Sequence, residues 1–242
     1  MIVLFTDFGQ TGPYIGQLRA TLLQHAPTVP VVNLFADAPT FNARASAYLL
    51  AAYREEFPSG SVFLCVVDPG VGSSRRPVVV QADGRWFVGP DNGLFNVIAG
   101  RDANSRAWEI TLQPRRLSAS FHGRDLFAPV AAQLALGKQP QMRPVANLDD
   151  THCDWPDDLR QIVYIDHYGN AITGTRASTL DPRMPLAIKQ KVIRYRHVFS
   201  QARQNEIFWY KNANGLVEIA VNRGSAATAL GLEVGDRFSL VT

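Results

Sequence analysis

The sequence predicts an α/β fold: a larger N-terminal α/β domain on a mainly parallel sheet, followed by a smaller all-β domain. Three observations carry that expectation. Strand and helix patterns alternate through the first half, an aperiodic stretch holding Pro140, Pro144 and Pro156 spans 137–156, and beyond it only short strands and turns recur. Alternating strands and helices need crossover connections, hence a largely parallel sheet covered on both faces. The chain's 242 residues allow a large domain with a small companion. The boundaries read as 1–145 for the first domain, 146–160 for a linker and 161–242 for the second.

Ile2–Thr6 is a short apolar run, as expected of a strand buried on both faces. Gly9, Gly12 and Pro13 mark a loop, after which Ile15, Leu18 and Leu22 fall on one helical stripe, with Pro13 suited to the helix start. Val29–Leu34 reads as the second strand. Pro39 precedes a second helix whose Ala45, Tyr48, Leu49 and Ala52 share a face and which ends before Pro58 and Gly60. Val62–Val67 is the third strand. Val78–Gln81 and Trp86–Gly89, joined through Asp83-Gly84, predict a hairpin. A further helix starts near Arg124, with Leu126, Phe127, Val130, Ala131 and Leu134 on its inner side. The stretch 137–156 has no hydrophobic period and reads as the linker region. In the second half, Gln161–Ile165, Ala171–Thr173, Leu186–Ile193, Glu206–Tyr210, Leu216–Val221 and Arg237–Val241 are strands, and Ser225–Leu230 is helical. A small barrel or sandwich fits them.

Composition narrows the function classes. Hydrophobic residues at 46% and charged ones at 19% describe an ordinary globular protein. No uncharged apolar run approaches a membrane span, since the longest, around Ala47–Tyr53, meets Arg54. Met1–Phe8 has no basic segment and reaches Asp7 too early for a signal peptide. Cys65 and Cys153 show no metal-binding spacing. A cytoplasmic protein is expected. Between Pro182 and Gln204 lie six basic residues and no acidic ones, which read as a solvated face without any nucleic-acid recognition motif. Neither a nucleic acid nor a membrane is an expected partner.

Chemistry is expected beyond the carboxyl ends of the strands, where loops converge in open α/β sheets. Four loops there combine Asp with Gly: Thr6-Asp7-Phe8-Gly9, Asp68-Pro69-Gly70-Val71-Gly72 with Arg75, Gly89-Pro90-Asp91-Asn92-Gly93, and Phe121-His122-Gly123-Arg124-Asp125. Taken singly, each could be an Asx turn or a helix cap. Their concurrence predicts one shared rim. Neither a phosphate-binding loop nor a zinc spacing is present, and an all-Asp magnesium site on Asp7, Asp68 and Asp91 is the weaker rival.

Together with Pro13-Tyr14-Ile15-Gly16, Asp166-His167-Tyr168-Gly169-Asn170 and Gly215–Asn222 followed by Gly224–Ala227, these loops resemble the S-adenosyl-L-methionine hydroxide adenosyltransferases, a family related to fluorinase and chlorinase. The resemblance runs through nearly the whole chain, in order. It implies a C-terminal β-barrel, a homotrimer with sites shared between subunits, and hydrolysis of S-adenosylmethionine to adenosine and methionine. No metal or cofactor is implied, and S-adenosylmethionine is the substrate. The family's catalytic Asp-Arg-His set falls on Asp68, Arg75 and His122. Substrate contacts fall on Phe41, which would stack on adenine, on Asn170 and on main-chain groups near Asn222, while Asp7 and Asp166 match further site positions. Where family members often carry an acidic residue against the ribose, this chain has Gly12. Its Asn212-Ala213-Asn214-Gly215 and Gly174 also depart from the family pattern.

The chemistry fits that set. Displacement at C5′ releases sulfur as a neutral thioether, so no general acid is needed and the poor nucleophile, water, is the difficulty. Asp68 and His122 are expected to orient water and accept its proton, with Arg75 stabilising hydroxide character. Halide displacement at the same carbon and a non-catalytic sensor of S-adenosylmethionine or adenosine are the alternatives.

Overall fold

The computed structural model describes residues 1–148 and 155–241, so Cys153 and part of the expected linker lie outside the described residues. The chain forms two compact units: Met1–Ala47 with the described part of Glu56–Asp154, and Tyr48–Glu55 with the described part of Trp155–Thr242.

The first unit is built on a seven-stranded sheet. Its strands are β1 (Ile2–Thr6), β2 (Val31–Phe35), β3 (Val62–Val66), β4 (Pro77–Ala82), β5 (Arg85–Pro90), β6 (Arg106–Ile110) and β7 (Met142–Val145). They lie in the order β2-β1-β3-β5-β4-β6-β7. Pairing is parallel from β2 to β5 and antiparallel from β5 to β7, because β4 returns to β5 through a two-residue turn and the later strands follow antiparallel. Asp83 and Gly84 both take positive φ, 49° and 69°, as that hairpin turn requires. All five residues of β1 and of β3 are buried. Ile2, Leu4, Val62 and Leu64 pack toward Leu18 and Leu22 of helix α1 (Tyr14–His25) and Val130 and Ala131 of helix α4 (Ala128–Ala135). Phe5, Phe63 and Phe87 are also fully buried, with Phe5 against Phe35 and Phe63 stacked on Phe87 at 5.0 Å. Two further helices are α2 (Ala43–Tyr53) and the short α3 (Asn96–Arg101). In α2 every residue from Ala45 to Ala52 is buried, not one face alone, and the helix contributes residues to both units.

Several elements differ from the sequence reading. The stretch 137–156 contains β7, whose Pro144 is tolerated because this is an edge strand. The short α3, burying only Ile98, and the charged β6 carry too little apolar pattern to be read. The helix near Arg124 begins with a widened π turn, Gly123–Phe127, before α4.

The second unit is a curled seven-stranded sheet of β8 (Leu159–Ile165), β9 (Ala171–Arg176), β10 (Leu186–Ile188), β11 (Lys191–Tyr195), β12 (Ile207–Lys211), β13 (Leu216–Val221) and β14 (Ser239–Leu240). The order is β14-β10-β11-β12-β13-β9-β8, and a bridge from Gln161 to Arg237 brings the two ends together in a barrel-like unit. Ile162, Leu186, Trp209, Val217 and Ile219 fill its core. Helix α5 (Ala226–Leu230) is capped by the Ser225 hydroxyl, which accepts from the Thr228 N–H at 3.0 Å, and ends at Gly231 in the left-handed region. The expected single strand Leu186–Ile193 is in fact the β10–β11 hairpin. Its turn residues Lys189 and Gln190 have φ of 47° and 63°, a turn made without the glycine or asparagine that would announce it. In the basic segment, Arg183 pairs with Asp181, Lys189 with Asp236 and Arg196 with Glu206. Among the described residues no helix is long and apolar enough to cross a membrane.

Candidate active site

Three chain segments meet at one end of the parallel half of the first sheet. β1 runs into Asp7, β3 runs through Val67 into Asp68, and His122 stands at the N-terminal edge of the π turn that opens the last helix of this unit. Widened turns of this kind recur at functional sites because the extra residue re-aims the side chains around it. The Asp68 loop folds on itself through Val71 N–H to Asp68 C=O at 3.2 Å and Ser73 N–H to Gly70 C=O at 3.0 Å. It also docks closely on the segment before His122. Gly72 has φ +82°, and a Cβ there would stand 2.7 Å from the Ala119 carbonyl oxygen. Only glycine lets the two loops approach so closely.

That approach joins three side chains. The Arg75 Nε donates to Asp68 Oδ1 at 2.8 Å and its Nη2 donates to Asp68 Oδ2, a bidentate ion pair with side-chain exposures of 9% and 4%. The same Nη2 lies 3.1 Å from His122 Nδ1. A guanidinium has no acceptor, so Nδ1 must accept, and the neutral His122 ring carries its proton on Nε2. Arg75 also sits over the Phe127 ring, 5.3 Å from its centre. Burial and the Arg75 charge push the His122 pKa down, against the opposing pull of Asp68 and Asp125.

Beside this group lies a cavity of about 310 Å³ whose walls include Asp7, Phe8, Tyr14, Phe41, Asp68 and His122. Phe8, Tyr14 and Phe121 form a mutual cluster with ring centres 5.4–5.7 Å apart, giving the cavity an aromatic wall that sequence reasoning did not assign. Only their placement after β1, at the start of α1 and beside His122 hinted at it. Asp7 Oδ2 accepts the Phe41 N–H at 3.0 Å. Burial raises the Asp7 pKa; the Phe41 N–H works against that shift and repulsion from Asp68 adds to it.

The Gly89–Gly93 loop braces the rim and is not among the residues lining the cavity. Asp91 accepts from Arg76 Nε at 2.9 Å, and the Asn92 amide donates to the Val67 carbonyl at 2.9 Å, bracing the end of β3. Arg124 and Asp125 are likewise structural: Asp125 accepts from Arg124 and from the Ser118 N–H, and the Arg124 guanidinium covers Phe121. Asp91 is thus engaged by Arg76 and does not line the cavity that Asp7 and Asp68 share. Among the described residues no group of three or more His, Cys, Asp or Glu is placed to hold a metal ion.

The other expected contacts lie in the second unit. Asp166 Oδ1 accepts from the Tyr168 and Asn170 N–H groups at 2.9 and 2.8 Å, and its Oδ2 accepts from the Asn170 amide at 3.0 Å. Asn222 donates from its amide to the Ala202 carbonyl at 2.7 Å. Sequence reasoning missed a buried polar group nearby in this unit. Glu218 on β13 accepts from Tyr210 at 2.5 Å and from Asn212 at 3.0 Å, and burial raises its pKa. Burial, Glu218 and Asp166 together push Tyr53 up to about 12. A lone glutamate within the apolar run Leu216–Val221 was the available signal.

Sequence profiles of the SAM hydroxide adenosyltransferase N-terminal and C-terminal domains match residues 2–143 and 160–239. An (R)-S-adenosyl-L-methionine hydrolase from Thermus thermophilus is 36% identical, covering 97% of this chain and 96% of that protein. A fluorinase from Actinopolyspora mzabensis is 23% identical, over 57% of this chain and 54% of its own length. Among solved structures, an uncharacterized conserved protein from Thermotoga maritima superposes with a TM-score of 0.87 at 26% identity, with both chains covered completely.

Proposed function

The chain belongs to the SAM hydroxide adenosyltransferase family, and from that premise we propose that it hydrolyses S-adenosyl-L-methionine to adenosine and L-methionine. The observation that carries this reading is the Arg75 guanidinium bound at once to the Asp68 carboxylate and the His122 ring beside a cavity of about 310 Å³. Water attacks C5′ in line with the C5′–S bond. The new bond is C5′–O, the electron pair of the broken bond passes to sulfur, and methionine leaves uncharged at sulfur. One proton must leave the water. While Arg75 occupies His122 Nδ1, that nitrogen cannot take it, so Asp68 is the base and each of its oxygens keeps a lone pair for the task.

Arg75 holds the Asp68 carboxylate in place and stabilises the hydroxide character that develops on oxygen. As hydroxide meets sulfonium, opposite charges cancel, and exclusion of bulk water strengthens their attraction. No metal or cofactor enters this reading. Halide displacement finds less support, since a base has no part in it and the fluorinase likeness is the more distant one. Asp7, Phe41, Asp166, Asn170 and Asn222 are assigned to substrate binding, with the second-unit residues supplied within a homotrimer. The relatives' names specify the (R) sulfonium, and the same preference is proposed here.

Incubation with each sulfonium epimer in ¹⁸O water, with EDTA present, tests the reaction by mass spectrometry. The expected result is ¹⁸O in the 5′-hydroxyl of adenosine, free methionine, and faster turnover of the (R) epimer. Unlabelled adenosine, or product formed only with halide or metal, rejects it.

A further inference from the structure

Two costly features of the cavity depend on one hydrogen bond. Pro39, Thr40, Phe41 and Asn42 form a turn closed by the Asn42 N–H to the Pro39 carbonyl at 3.1 Å. Phe41 occupies its third position with φ 57°, where such turns take glycine or asparagine. A left-handed conformation is a genuine outlier for a bulky residue and persists only when its surroundings enforce it. Packing of the ring does not enforce it, because Phe41 is 74% exposed. Asn42 is occupied elsewhere, its side-chain oxygen accepting the Ala45 N–H at 3.0 Å at the start of α2. The backbone beneath Phe41 is held by Asp7 Oδ2. Asp7 in turn is a partly buried carboxylate with no ion-pair partner among the described residues, so it too is retained at a cost. The two segments are already tied by the Ala38 N–H to the Thr6 carbonyl at 3.0 Å. What the side-chain bond adds is the conformation of Phe41.

We infer that Asp7 is a positioning residue: by accepting the Phe41 N–H it fixes that residue in its left-handed conformation and holds the exposed ring at the cavity edge, preorganised for a flat aromatic ligand. That the ligand is the adenine of S-adenosylmethionine rests on the reading above; the latch itself does not. Preorganisation of this kind raises affinity by removing an ordering cost from binding.

The test places a reporter on the ring. Phe41→Trp in the full chain is read as the difference in emission and anisotropy from the unsubstituted protein. In this background Asp7→Ala is expected to lower the anisotropy of the added tryptophan, whose site is already 74% exposed. Asp7→Asn, whose amide oxygen still accepts an N–H, is expected to keep the signal. Asp7→Glu, which displaces the oxygen, serves as the second loss variant should Asp7→Ala fail to fold. In kinetics, Asp7→Ala and Phe41→Ala should each raise KM about tenfold, the equivalent of releasing one left-handed residue, with kcat changed far less. A reporter unmoved by Asp7→Ala and Asp7→Glu overturns the inference. So does a loss of the reporter's anisotropy in Asp7→Asn equal to that in Asp7→Ala. A reporter that responds as expected in a protein that leaves S-adenosylmethionine intact sinks the substrate and keeps the latch.

Discussion

His122 serves as a neutral ring whose orientation is set by Arg75, and this fixes how the site answers to pH. Protonating Nδ1 would place a cation against a guanidinium 3.1 Å away and remove the acceptor that holds the pair. Burial and Arg75 depress the His122 pKa below the ordinary 6.5. The neutral form therefore contributes stability that is complete above the ordinary value and is lost as pH falls through the folded one. Activity is expected to follow the same sign, with kcat/KM flat near neutrality and falling on the acid side below 6.5. A sulfonium in the cavity adds positive charge, so the acid limb of kcat should lie lower still. In His122→Gln, whose carbonyl oxygen can still accept from Arg75, that limb should move to lower pH, and kcat near neutrality should fall far less than on loss of the base in Asp68→Asn. A limb left at the same pH by the substitution assigns it to another group. At this scale Asp68, Arg75 and His122 were legible from their loops, yet the tautomer was not. It depends on which nitrogen meets a donor 47 residues away in sequence.

Elements bring those residues together through contacts that leave faint marks in sequence. Gly72 is the clearest, since its positive φ and the Ala119 carbonyl 2.7 Å from a would-be Cβ both demand glycine. Gly72→Ala should push the Asp68 loop off the segment that carries His122. The expected cost is about 1–3 kcal/mol of stability. Because Arg75 would lose its hold on the ring, kcat should fall in a protein whose far-UV circular dichroism is unchanged. Full activity in this variant would mean that the loops need not touch. The element scale also shows why pattern reading succeeded and where it stopped. β1 and β3 were visible because burial on both faces demands an uninterrupted apolar run. Asp83-Gly84 announced its hairpin, whereas Lys189-Gln190 makes a similar turn with residues that give no sign of it. β7 was hidden by Pro144, which only an edge position permits.

At the scale of the whole molecule, the division into two units poses a question about assembly. The cavity beside Asp68, Arg75 and His122 is walled by residues of the first unit, and at about 310 Å³ it stands at the small end for a site enclosing a ligand of this kind. Asp166, Asn170 and Asn222, assigned to the same substrate, are residues of the second unit. In the proposed homotrimer a neighbouring copy supplies them, and a head-to-tail ring of three closes with every site shared. Mixing two inactive chains tests this directly. Asp68→Asn leaves a sound second unit and Asn170→Ala a sound first unit, so each homogeneous protein should be nearly inactive. Co-expressed in equal amounts and randomly assembled, they should rebuild about one quarter of the sites, those pairing an intact first unit with an intact second unit from the next copy. Sites contained within single chains would recover nothing on mixing, because every chain would still carry one of the two lesions. Recovery that disappears on dilution and returns on concentration would further tie the activity to the assembled ring.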